Sequence, residues 1–158
     1  MFSPCISLCY KLQDKMFSKT CEYAIRAMIF IGQQSMKGER TGIKQVVQGI
    51  DCPEHFIAKI LQEMVKRGLL LSIKGPNGGF YMEKTQLKYT LADVVRAVDG
   101  DKIFSGCGLG LAQCSEIKPC PIHKEFKKIR NEMHDMLCNA RLGEFAEQLD
   151  NNLSFLKR

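Results

Sequence analysis

Apolar residues recur at helical spacing in five segments of the chain and run as short strands in two. Ser18 and Thr20 are N-cap residues for a helix reaching position 34, with Tyr23, Ala24, Ala27, Met28, Ile31 and Gly32 on one stripe. Gly38 and Gly42 punctuate a polar connection, and a short helix over 43–48 is closed by Gly49. Pro53 suits a first helical position and opens a helix to 66 that stops at Gly68. Phe56, Ile57, Ile60, Leu61 and Met64 supply its buried face, with His55, Ala58, Lys59 and Gln62 off that face. A strand over 69–73, a breaker-rich turn over 74–79 and a returning strand over 80–82 follow. Thr90 or the residue beside it caps a helix over 91–98 with Leu91, Val94, Val95 and Val98 inward. Residues 101–121 have neither period, and a loop this long usually serves a function. Beyond it, Ile122, Phe126, Ile129, Met133, Met136 and Leu137 predict one long helix to 149 with a narrow apolar seam.

Two short helices joined by a few residues make a helix-turn-helix, and the hairpin directly after them makes a wing. The expected fold is mainly α with a small β-hairpin: a winged helix-turn-helix plus a long C-terminal dimerisation helix. Residues 1–15 carry little pattern and read as an extension, with Met16 the expected native start. Residues 16–90 form the DNA-binding domain, 91–121 a linking helix and Cys-rich loop, and 122–158 the dimerisation helix and tail. The uncovered seam predicts a homodimer, since such readers bind two half-sites related by two-fold symmetry.

The 158 residues are 45% hydrophobic and 25% charged, which suits one globular domain and argues against disorder. No run approaches about 18 apolar residues, so a membrane span is excluded. The N-terminus lacks the order of an export signal, and the expected location is cytoplasmic. The net charge of +6 sits in the first half: residues 16–90 hold eleven basic and six acidic side chains, residues 91–158 ten of each. Such a field suits a polyanion, and double-stranded DNA is the partner this pattern predicts. His55, Lys59 and Gln62 are candidate base readers, and Ala58 a candidate contact for a thymine methyl group. Thr41, Lys44 and Gln45 could position phosphates. Lys74, Gly75, Asn77 and Gly78 form a wing tip able to approach the backbone or a narrow minor groove. The alternative is a solvated basic surface around a tight hairpin.

Eight cysteines in a chain without an export signal favour metal or redox chemistry over disulfides. Cys5, Cys9, Cys21, Cys52 and Cys138 are scattered and read as small buried hydrophobes. Cys107, Cys114 and Cys120 crowd into one loop, with His123 close behind. Three thiolates on a Gly-rich loop can converge on one centre, and cysteine followed by proline ends a common iron–sulfur spacing. The spacing lacks the close cysteine pairs of zinc fingers and ribbons. An iron–sulfur cluster is therefore the first expectation, a Cys₃His zinc site the second and a plain reduced loop the third. His123 is the local candidate for a fourth ligand, and Glu22 a distant one. A weak non-thiolate ligand leaves an iron open to nitric oxide, oxygen or loss, as a sensor needs. The rivals are a zinc-bound or cluster-free regulator acting by thiol oxidation or a protein partner, and a small iron–sulfur electron carrier.

From Met16 to about Gly143 the chain resembles the iron–sulfur-cluster-containing winged-helix repressors. These include the iron–sulfur cluster assembly regulator, the nitric-oxide-sensitive repressor and the rhizobial iron regulator. The resemblance is carried by MFSKTCEYAIRAM, the wing KGPNGGF, the helix LADVVRAVDG, and the three cysteines with His123. It implies a DNA-binding transcriptional repressor, not an enzyme, built as a homodimer with crossing C-terminal helices. It also implies a [2Fe-2S] or [4Fe-4S] cluster on Cys107, Cys114 and Cys120. The fourth ligand is His123 in the assembly-regulator pattern, or Glu22 of the partner subunit in the nitric-oxide pattern. Lys74 stands where the family has an arginine, and Ala58 where the assembly regulator has a base-reading glutamate, so that regulator's DNA site does not carry over.

Overall fold

The structure is a computed structural model that describes residues 16–157. The extension over 1–15, with Cys5 and Cys9, lies outside the described residues. Of the two expected caps of helix α1, Lys19–Met36, Ser18 is the one used and Thr20 lies within the first turn: the Ser18 hydroxyl accepts a hydrogen bond from the Cys21 backbone N–H at 3.1 Å. A cap of this kind contributes about 1 kcal/mol. Its apolar stripe is buried through Ala24, Ala27, Met28, Ile31 and Gly32, while Tyr23 is half-buried.

Helix α2, Ile43–Ile50, runs through Gly49 instead of ending there. Its stop is Asp51, which takes the left-handed conformation at φ 52°. Gly49 serves packing: a Cβ there would strike the Phe30 ring. Helix α3, Glu54–Lys66, has Pro53 as its cap and not its first residue. Ile57, Ile60, Leu61 and Met64 are buried as expected, but Phe56 is 47% exposed. It turns outward to pack against the rings of His55 and Tyr23, at centroid distances of 4.4 and 6.4 Å.

Strands β1, Leu71–Ile73, and β2, Gly79–Tyr81, pair antiparallel, with Ser72 opposite Phe80. The backbone of Thr41 exchanges two 2.9 Å hydrogen bonds with Phe80 and anchors the hairpin to the helices. Gly79 is required there, because a Cβ would meet the Thr41 backbone at 3.0 Å. Helix α4, Leu91–Asp99, carries the predicted Thr90 cap, closed reciprocally by Asp93.

Two features of the C-terminal half differ from expectation. The stretch 101–121 is not all loop, since Lys102–Ser105 form a single turn, α5. The long helix predicted over 122–149 is two helices, α6, His123–Asn139, and α7, Leu142–Asp150. The break is imposed from outside. The Ala140 carbonyl accepts from Leu91 N–H and the Leu142 N–H donates to the Tyr89 carbonyl, both at 2.9 Å. These bonds cost α6 its continuation and turn α7 back onto α1, where Leu142 and Ala146 are fully buried. Tertiary hydrogen bonds here override a locally helical sequence.

The main core joins α1, α2, α3, the base of the hairpin and α7. A second cluster of Cys21, Ala92, Val95 and Leu137 joins α1, α4 and α6, with Ile103 and Phe104 of α5 packed on it. No helix of the described residues is long and apolar enough to cross a membrane.

Candidate metal centre and nucleic-acid interface

Gly106, at the end of α5, begins the cysteine loop, which then lies against α6. Gly108 is necessary for that approach: a Cβ would sit 2.7 Å from the Phe126 ring. The loop folds Cys107 onto Cys120, with the sulfurs 3.9 Å apart, and Cys114 onto His123, with Sγ 3.4 Å from Nδ1. Two thiolates sharing one metal ion tetrahedrally stand about 3.8 Å apart, given metal–sulfur bonds near 2.3 Å. The four donors are thus gathered, but as two close pairs. Among the described residues no group of three or more His, Cys, Asp or Glu converges on the position of a single ion. Glu22 lies elsewhere, in the first turn of α1, 2.9 Å from the Lys19 ammonium.

Hydrogen bonds from the backbone of Leu109 and Leu111 hold the Cys107 thiol below its ordinary pKa, with smaller help from Cys120 and the Arg130 charge. Donors to a thiolate favour the ionised, ligating form. The His123 Nε2 atom is buried with no partner in the protein. A buried polar atom left unpaired is costly, so it is suited to a group the chain itself does not supply. Three thiols and an imidazole with an orphaned nitrogen are the donor types of an iron–sulfur or zinc centre, and their two-pair arrangement fits a cluster and not a single ion. The loop, α5 and α6 also line a cavity of about 1000 Å³ beside Cys107 and Cys114.

Arg130 is the residue of this site that sequence reasoning missed. Its Nη1 donates to the Gly106 carbonyl at 2.6 Å and to Cys114 Sγ at 3.3 Å. The signal was a cation in the stripe Phe126, Met133, Leu137, where an apolar residue continues the pattern.

The other scattered cysteines divide. Cys21 and Cys52 are buried as expected, and burial pushes the Cys21 thiol up to about 12, aided by Asp99. Cys138 is only half-buried, 3.5 Å from the His134 imidazole, because it sits where α6 packs on α4.

On the opposite half, His55, Lys59 and Gln62 are exposed along one flank of α3 and line an open groove shared with Ala97 and Val98 of α4. Ala58 beside them is half-buried. Lys44 and Gln45 are exposed at the start of α2, although the Gln45 carbonyl oxygen is engaged by the Gly42 N–H at 2.7 Å. Thr41 is a correction. It is 2% exposed, its backbone tied to the hairpin, so its hydroxyl faces no phosphate. At the wing Lys74, Gly75 and Asn77 are exposed and Gly78 half-buried, with Gly75 at φ 114° making the turn. Arg40, unremarked in the sequence, donates to the Asn77 carbonyl at 3.3 Å and lies over the Tyr81 ring, adding a cation at the base of the wing.

Comparison with known proteins agrees with this architecture. The HTH-type transcriptional regulator NsrR of Geobacillus kaustophilus is 33% identical over 86 residues, covering 54% of this chain and 58% of that protein. The solved structure of IscR from T. potens superposes with a TM-score of 0.68 at 14% identity, over 92% of this chain and 94% of that one. CymR, the global cysteine regulator of B. subtilis, superposes with a TM-score of 0.67 at 20% identity, over 83% and 95%. At these identities the two structures establish the fold, a winged helix-turn-helix. A family model described as an iron-dependent transcriptional regulator matches residues 17–148. The chain belongs to that family, Rrf2, and is a transcriptional regulator, not an enzyme.

Proposed function

We propose that the chain is a homodimeric repressor that reads iron–sulfur status, nitric oxide or redox state through a cluster held by Cys107, Cys114, Cys120 and His123. The observation that carries this reading is the pairing of the four donors, Cys107 with Cys120 and Cys114 with His123 Nδ1. Two pairs suit the two irons of a [2Fe-2S] centre better than one zinc ion, which needs all four donors at a single point. When bound, the cluster would supply reversible one-electron chemistry, with the His123 ligand weak enough to be displaced by small molecules such as nitric oxide. The family's iron dependence and the likeness to IscR and NsrR point the same way.

The protein's own residues give the route from site to DNA. The cysteine loop starts at α5, whose Phe104 ring lies 4.8 Å beneath the Arg96 guanidinium of α4. Arg96 also reaches the His134 imidazole of α6 at 3.1 Å and Asp101 at 3.0 Å. In the same last turn α4 holds Ser18, the cap of α1, through Asp99. Ala97 and Val98 of the same helix wall the groove along α3. Movement of the loop thus reaches the recognition helix through one short element. Base reading falls to His55, Lys59 and Gln62, with Ala58 beside them, and backbone contacts to Lys44, Gln45, Lys74, Gly75, Asn77 and Gly78.

A second reading, a thiol switch, draws on the lowered Cys107 pKa and the nearby Cys120 sulfur. One experiment separates the two: anaerobic purification with iron, sulfide and zinc counted beside the visible spectrum. Near-equal iron and sulfide supports the cluster; no sulfide after reconstitution leaves the thiol switch or zinc. Replacing Cys107, Cys114 and Cys120 together with alanine should make operator binding indifferent to iron supply and to nitric oxide. Unchanged regulation in a gel-shift or reporter assay would sink both readings.

A further inference from the structure

We infer that Arg130 is the built-in counter-ion of the cysteine site, and that its single positive charge selects three thiolates and one neutral imidazole as the ligand set. The inference rests on the site binding a metal centre as proposed above.

Arg130 is 9% exposed. Its Nη1 alone fastens the loop at two places, the Gly106 carbonyl before Cys107 and the sulfur of Cys114, with a longer contact to the Ser105 carbonyl at 3.4 Å. Its Nε is buried without a partner. No carboxylate of the described residues forms an ion pair with it; Glu116, the acid that senses its charge, is held by Lys127. A buried cation with carbonyls and a thiol as its only partners is uncompensated, which is expensive unless an anion completes the site.

The charge of that anion follows from chemistry. An oxidised iron–sulfur core is doubly positive, as is zinc. Three thiolates and a neutral imidazole around either leave one net negative charge, which one guanidinium cancels. A carboxylate in place of the imidazole, such as Glu22 of the partner subunit, would leave a second negative charge beside a single arginine. Arg130 therefore favours His123 as the fourth ligand. Its donation to Cys114 falls on the sulfur paired with His123, and a donor at a ligating sulfur raises the reduction potential.

The full chain, reconstituted anaerobically with ferrous iron and sulfide, tests this. The loss of visible absorption to a chelator should be at least tenfold faster in R130Q than in wild type. R130K, which keeps the charge but lacks the planar guanidinium that carries Nη1 to Gly106 and Cys114, should fall between. H123A should speed the loss as R130Q does, and E22Q should match wild type. In metal-free protein, R130Q should raise amide exchange at 105–107 at least tenfold while exchange in α3 stays unchanged, which also shows that the variant is folded. Wild-type retention in R130Q with unchanged exchange overturns the inference. Rapid loss in E22Q, with H123A like wild type, overturns the ligand choice. Wild-type protein that takes up neither iron nor sulfide overturns the proposed centre and the counter-ion with it, and the metal-free exchange then reports only whether Arg130 clamps the loop.

Discussion

Single side chains show how environment, not residue type, sets chemistry in this protein. Cys107 and Cys21 are both cysteines with opposite fates. Backbone donors hold the Cys107 thiol below its ordinary range, whereas burial beside Asp99 pushes Cys21 up to about 12. Because the thiolate is the reactive form, lowering the pKa moves the onset of alkylation to lower pH. In metal-free protein Cys107 should be alkylated at neutral pH well before Cys21, and its rate should level off at a lower pH than that of a free cysteine. Mass spectrometry of peptides labelled across a pH series checks this; equal labelling of the two would contradict it. Arg130 teaches the complementary lesson. The sequence displays a basic residue within an apolar stripe, but only packing shows that the side chain goes inward to a carbonyl and a sulfur.

At the scale of elements, α6 has a broad apolar stripe with two flanks. Phe126, Met133 and Leu137 pack against the loop and α4. Ile122, Ile129 and Met136, seven residues apart, remain exposed, Ile129 at 62%. A row of large apolar side chains left in water favours burial against another copy, each contributing roughly 1.5–3 kcal/mol when fully covered. Ile129→Glu should convert a dimer to monomer in sedimentation at micromolar concentration and weaken operator binding by an order of magnitude or more. An unchanged dimer would move the interface elsewhere. Helix α7 is the element that periodicity misjudged. Its residues do follow the helical period, and nothing local separates it from α6. The separation comes from Tyr89 and Leu91, some fifty residues earlier in the chain, which claim the backbone of Leu142 and Ala140.

The whole molecule divides its labour between a basic reading half and a cysteine-bearing half of balanced charge. Phosphate contacts release counterions, so binding should weaken steeply with salt. Lys74→Ala should lower affinity about equally for operator and random DNA and reduce the slope of log K against log salt by about 1. Lys59→Ala, in contrast, should relax preference at particular bases. Titrations of both variants at several salt concentrations distinguish the roles, and identical behaviour would place the two lysines on the same kind of contact.

Local rules sufficed for much of this protein. Caps at Ser18 and Thr90, the breaker-rich wing, the stripes of α1, α3 and α4, and the crowding of Cys107, Cys114, Cys120 and His123 are all legible in the order of residues. Each depends on neighbours a few positions away, where spacing maps directly onto geometry. The sequence could not say that Thr41 is buried, that Phe56 faces out, that the last helix breaks at Ala140, or that the donors stand in two pairs. Nor could it place Arg130 against Cys114. Those outcomes depend on competition between distant segments for the same hydrogen bonds and the same buried space, which only the folded chain resolves.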